Sequence, residues 1–361
     1  MTKACVSFDI RVHPVDGKLS GFRGVTCTLR PAAPAWCVNS RLHKRRAGSS
    51  TQSRRAPLTI ISVALLVTSE PGAAQTPVVQ PPAAQNPSPM VEHTRAHVRI
   101  PQQEPPGTRR SFTGPLDKPV QVFVPFGASR DQPLRLVIHF HGASFISEVA
   151  VSRLGKRYVA ATVNLAPGSG VYDRTFSDPP VYDSLLVGIA REASVALDRP
   201  VTFDRVILVG FSAGHGAIRA ILRDSGHFAA VDAVVLLDGL HTSYVPEGTV
   251  IEKGGALDET KLAEFVRYAD AAGRGEKRFL ITHSEIFPGT FASTTEATDY
   301  LVRTLGLRRT PVLKWGPGGM QQLSEARRGR FEIMGFAGNS GPDHIDQLHG
   351  MPEFLRRIEQ K

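Results

Sequence analysis

From about residue 110 onward, apolar positions fall into short β-branched runs. Segments 119–125 (PVQVFVP), 134–140 (LRLVIHF), 157–163 (RYVAATV), 205–210 (RVILVG), 233–237 (AVVLL), 278–282 (RFLIT) and 330–336 (RFEIMGF) each read as a strand. Runs such as VILV and AVVLL carry no polar interruption, as expected of strands buried on both faces. Between them, helical periodicity predicts helices at 181–196, 213–224, 258–272, 293–305 and about 346–359; in the second, Ile218, Ile221 and Leu222 share one face. Strands alternating with helices predict an α/β protein in three layers, a mostly parallel sheet with helices on both faces.

The pattern before residue 110 is different. Arg54 and Arg55 precede an apolar stretch, 58–67 (LTIISVALLV), and then the small residues Gly72-Ala73-Ala74. This predicts a cleavable signal peptide over 51–74, partly matching a twin-arginine signal, and export to the periplasm or the medium. The stretch is too short for a stable membrane anchor. A signal this far from Met1 suggests a later translation start, with residues 1–50 absent from the native protein or disordered. Residues 75–109, dense in Pro, Ala and Gln, read as a flexible linker, and 110–361 as the folded catalytic domain.

Charge sharpens this division. The formal net charge is +10, but residues 1–55 hold 11 of the 43 Lys and Arg and only 2 of the 33 acids, leaving 32 basic against 31 acidic residues after them. A near-neutral body argues against a nucleic-acid partner, which needs clustered basic side chains. All three cysteines (Cys5, Cys27, Cys37) also lie at the front, so the body has no thiol nucleophile and no thiolate ligand.

The candidate chemistry centres on Gly210-Phe211-Ser212-Ala213-Gly214, which follows strand VILV and runs into a helix. A strand turning this sharply holds the central serine in a strained conformation, exposed at the sheet's carboxyl edge beside free backbone N–H groups. Strand order and elbow together resemble the α/β-hydrolase superfamily over about Pro119 to Ile358. The resemblance implies an eight-stranded sheet, with nucleophile, acid and histidine in that chain order. It also implies an oxyanion hole formed by the N–H of Ala213 with that of Gly142 or Ala143, since His139-Phe140-His141-Gly142-Ala143-Ser144 looks like the HGGG-type loop.

His344, at the start of the last helical pattern, is the expected base, and His349 is the alternative. Asp238, directly after AVVLL, is the expected acid, with Glu285 after RFLIT as the alternative. The stretch 164–180, carrying Tyr172 and Phe176, reads as a loop beside the substrate, and 241–253 as a small lid. The expected activity is hydrolysis of a small-molecule or polymeric carboxylic ester, or of an amide, through an acyl-enzyme and without metal or organic cofactor. An acyltransferase with the same residues, or a non-catalytic binding module on the same fold, are the alternatives.

Overall fold

The computed structural model of the protein describes residues 97–360. The signal peptide, the three cysteines and the linker up to residue 96 lie outside the described residues. The strands are β1 (Gly107–Phe112), β2 (Val120–Pro125), β3 (Leu134–Phe140), β4 (Tyr158–Val163), β5 (Phe203–Phe211), β6 (Ala233–Leu237), β7 (Tyr244–Val245), β8 (Ala256–Leu257), β9 (Arg278–His283), β10 (Thr310–Trp315), β11 (Gln321–Arg328) and β12 (Phe331–Phe336). Ten of them form one sheet in the order β1-β2-β4-β3-β5-β6-β9-β12-β11-β10, while β7 and β8 pair separately. The six central strands, β4 to β12, run parallel, and the edge strands are antiparallel. Every residue of β4, β6 and β12 is buried, which is why AVVLL of β6 reads as an unbroken apolar run, while Glu332 within β12 is paired with Arg357.

The helices are α1 (Ser144–Leu154), α2 (Ser169–Phe176), α3 (Pro179–Leu197), α4 (His215–Arg223), α5 (Ser225–Ala230), α6 (Ala263–Gly273), α7 (Thr294–Thr304), α8 (Gly341–His349) and α9 (Met351–Glu359). Leu136, Ile138 and Phe140 of β3 pack with Leu185 and Ile189 of α3 and Ile218 of α4. Val137, pointing the other way, packs with Ile146 of α1 and with Leu355 and Ile358 of α9. The period-2 alternation of a strand therefore feeds two cores, one on each face of the sheet.

Four expectations need correction. The sheet has ten strands rather than eight: to the seven read from the sequence it adds β1, β10 and β11, of which β1 and β11 are largely polar and β10 (TPVLKW) lies almost wholly exposed. The stretch 164–180 is not an open loop: α2 occupies 169–176 and buries both Tyr172 and Phe176, the latter edge-on to Phe140. Residues 97–109 are not free linker, since they hydrogen-bond to the body and end in β1. The final helix is two, α8 and α9, broken at Gly350 with Pro352 in the first turn of α9, where its missing N–H costs no hydrogen bond.

Candidate active site

Three adjacent parallel strands end the same way. His141, Ser212 and Asp238 each directly follow β3, β5 and β6, and each has a positive φ, of 69°, 47° and 44°. Only one other non-glycine residue among those described shares this conformation, Asp198 after α3. Such backbones cost about 1–3 kcal/mol each and persist only where the surroundings over-determine them. Three side by side mark one place on the carboxyl edge of the sheet.

Glycine makes the elbow possible. A Cβ on Gly214 would stand 2.1 Å from the Phe140 carbonyl oxygen, so only glycine lets the turn close against β3. A Cβ on Gly239 would stand 2.8 Å from Ser212 N, which shows how closely the Asp238-Gly239 turn abuts the serine. Gly214→Ala is accordingly expected to cost about 1–3 kcal/mol by forcing backbone apart, read as a fall of several degrees in Tm by calorimetry.

His344 Nδ1 lies 2.7 Å from Asp238 Oδ2, with the carboxylate 3% exposed and the imidazole 24%. Ser284 also serves this carboxylate: its N–H donates to Oδ1 at 3.0 Å and its hydroxyl to Oδ2 at 2.6 Å. Burial alone would raise the Asp238 pKa, but the hydrogen bond from His344, the His344 charge and the two Ser284 bonds outweigh it, holding the carboxyl well below the usual range. The His344 ring rests on Phe211, the residue before the serine, with centroids 4.5 Å apart. Imidazole and carboxylate thus meet beside the residue that precedes Ser212. The other candidates do not join them: Glu285 is exposed and accepts from Gly338 N at 3.1 Å, and His349 Nδ1 accepts from Ile100 N at 3.0 Å.

The structure also places His344 differently within its segment, in the body of α8 rather than at a loop boundary. Ser340 and Asp343 form a reciprocal capping box, which starts the helix earlier than its apolar pattern suggests. The segment before β1 fastens this helix from outside. Arg99 donates from Nε to Asp346 Oδ1 at 2.6 Å and from Nη2 to the Pro342 carbonyl at 2.8 Å, and His97 Nδ1 meets Asp346 Oδ2. His97, Asp343 and Asp346 bring potential metal-ligand atoms within 4.8 Å of one another, but Arg99 and Ser340 already occupy these carboxylates.

The loop after β3, expected to supply an oxyanion donor, differs in one respect from expectation. The Gly142 N–H donates to Asn164 Oδ1 at 2.8 Å, while Asn164 Nδ2 donates back to the Gly142 carbonyl at 2.9 Å. Gly142 N–H is therefore engaged, and its loop is clamped by the residue that follows β4. His141 bonds through Nδ1 to the Tyr172 hydroxyl at 3.1 Å and lies stacked on Phe211. Burial, then the nearby His344 charge, lowers the His141 pKa. Beneath the elbow, His215 Nδ1 lies 2.8 Å from the Ser212 carbonyl, which can only accept, so this nitrogen carries the proton. Burial pushes the His215 pKa down to about 3, keeping the ring neutral.

Ser284 and Asn164 are contributors that the sequence pattern did not reveal. Both are short polar residues just beyond a parallel strand, and that position is the only signal they give.

Sheet order and elbow define an α/β-hydrolase-like fold. No protein-family model and no curated protein matches the chain. Among solved structures it is similar to a feruloyl esterase module from Clostridium thermocellum, with 12% identity over 71% of this chain and 92% of that one and a TM-score of 0.43. It is likewise similar to an arylesterase, with 14% identity over 71% and 87% of the two chains and a TM-score of 0.38. A third is poly(aspartic acid) hydrolase-1 from Sphingomonas, with 14% identity over 72% and 100% and a TM-score of 0.39.

Proposed function

We propose that the protein is a serine hydrolase of carboxylic esters, with Ser212 as nucleophile, His344 as general base and acid, and Asp238 as the orienting carboxylate. The observation that carries this reading is the His344 ring, bonded through Nδ1 to Asp238 while resting against the residue before Ser212. With Nδ1–H donated to the carboxylate, Nε2 keeps its lone pair and takes the Ser212 proton as Oγ attacks the ester carbonyl. The new C–O bond places negative charge on the former carbonyl oxygen, which Ala213 N–H accommodates at the head of the elbow. Because Gly142 N–H is committed to Asn164, Ala143 N–H is the donor from the opposite loop; one such donor contributes about 3–4 kcal/mol to the transition state. Collapse expels the alcohol, protonated by His344, and leaves an acyl-Ser212. Water, deprotonated by the same imidazole, then releases the acid and restores the serine.

A fluorophosphonate probe tests this directly. The wild type should form a covalent adduct on Ser212, located by peptide mass spectrometry, and Ser212→Ala should form none. An unlabelled, folded wild type would sink the proposal.

A further inference from the structure

A cleft of about 640 Å³ opens beside the oxyanion loop, with Gly142, Ala143 and Ser144 at one end. Its other walls follow the sheet order away from the elbow. From the loop after β3 it passes to Asn164 after β4, then to Gln121 on β2, and finally to Ser111, which pairs with Gln121 across β1 and β2. Ser212 heads β5, on the other side of β3, so cleft and nucleophile share the carboxyl edge on either side of that loop.

The lining is chemically selective. Only Val122, Ala143 and Phe145 are apolar, whereas amides come from Gln102, Gln103 and Gln121, the Asn164 amide being engaged with Gly142. An alkyl chain lying here would strip water from these groups and return no hydrogen bonds. An anion finds no net attraction. Arg109 is tied to the buried Glu148 by bonds of 3.0 and 2.7 Å, and Arg110 to the buried Glu192 at 2.8 Å. These pairs neutralise the guanidinium groups while fixing where their remaining N–H groups sit. What remains is a polar surface without net positive charge, in which Glu104 adds one exposed carboxylate, with one aromatic face, Phe145, beside Ser144. Vicinal hydroxyls, each donor and acceptor at once, match amide groups of the same double character.

We infer that this cleft binds the sugar ring of a carbohydrate ester, holding the polyhydroxylated alcohol beside the carbonyl that Ser212 attacks. The assignment rests on the hydrolase reading above for its catalytic part, and on the cleft alone for its binding part. The two parts are tested separately. On the full-length chain, kcat/KM for a mono-O-acetylated methyl β-glucoside should exceed that for ethyl acetate, which carries the same acyl group, by about tenfold, as one or two well-placed hydrogen bonds allow. Gln121→Leu, on an exposed strand position outside the catalytic machinery, should erase that preference through KM while leaving p-nitrophenyl acetate turnover unchanged. Independently of turnover, Ser212→Ala should give saturation-transfer NMR signals with methyl β-glucoside that disappear when Gln121→Leu is added. Hydrolysis of p-nitrophenyl acetate without sugar preference or sugar binding would overturn the cleft assignment and spare the hydrolase reading. Sugar binding that depends on Gln121, in a protein that takes no fluorophosphonate, would do the reverse. A preference for octanoate esters that grows stronger in Gln121→Leu would place an alkyl chain in the cleft and overturn the assignment.

Discussion

Ser212→Ala is expected to lower kcat on p-nitrophenyl acetate by about 10⁶, with His344→Ala close behind and the double variant little worse than either, as residues acting as one unit behave. The reason lies in the chain of proton and charge. Without Oγ there is no acyl-enzyme, and without the imidazole nothing takes the proton from Oγ as it attacks or from the water that releases the acyl group. Substrate binding should survive both changes, since neither side chain lines the cleft beside the oxyanion loop. The loss should therefore fall on kcat with KM nearly constant. Steady-state kinetics on protein shown to be folded by circular dichroism would measure it. Either variant retaining activity within a hundredfold of wild type would remove that residue from the proposed mechanism.

What was legible beforehand follows burial. Strands β3, β4, β6, β9 and β12, and β5 from Ile207 onward, are largely enclosed on both faces, and such burial leaves a mostly apolar run that local reading detects. Strand β1 (GTRRSF) buries only Phe112, and β11 (QQLSEARR) buries only Gln322 and Ala326, so their place in the sheet comes from pairing partners distant in sequence. Helix α2 was hidden for a different reason: Pro167-Gly168 before it and Pro179-Pro180 after it mask a helix of two turns.

The site divides along the same line. Ser212 and Asp238 stand directly at the ends of readable strands, and the sequence marks each by a turn glycine within two residues, Gly214 and Gly239. Ser284 and Asn164 act through strands β9 and β4 that lie beside β6 and β3 only in the folded sheet. Composition says nothing of such neighbours. The Gly142 amide illustrates the consequence: the loop was recognisable, but which of its N–H groups is already taken depends on a residue 22 positions away.

Asp238→Asn should reduce kcat by about 10⁴ while leaving the fold intact. The wild-type carboxylate accepts all three of its hydrogen bonds, from Ser284 N–H on Oδ1 and from the Ser284 hydroxyl and His344 Nδ1 on Oδ2. A backbone N–H can only donate, so the amide of the variant must keep its oxygen at the Oδ1 position and turn its NH2 toward His344. Facing a donor, Nδ1 becomes an acceptor, the imidazole proton moves to Nε2, and the lone pair that would deprotonate Ser212 is lost. The serine itself is untouched, so fluorophosphonate labelling should slow in proportion to kcat. The same carboxylate gives the change a stability signature. Its folded pKa lies below the ordinary value despite burial, because the His344 and Ser284 contacts favour the charged form. That contribution is present in full above about pH 4, the ordinary carboxylate value, and is lost as the pH falls further toward the folded value. In urea unfolding, the stability gap between wild type and Asp238→Asn should therefore narrow as the pH falls from about 4 toward 2. A gap unchanged down to pH 2 would show that Asp238 owes nothing to its charge, and a variant with undiminished kcat would pass the orienting role to another acid.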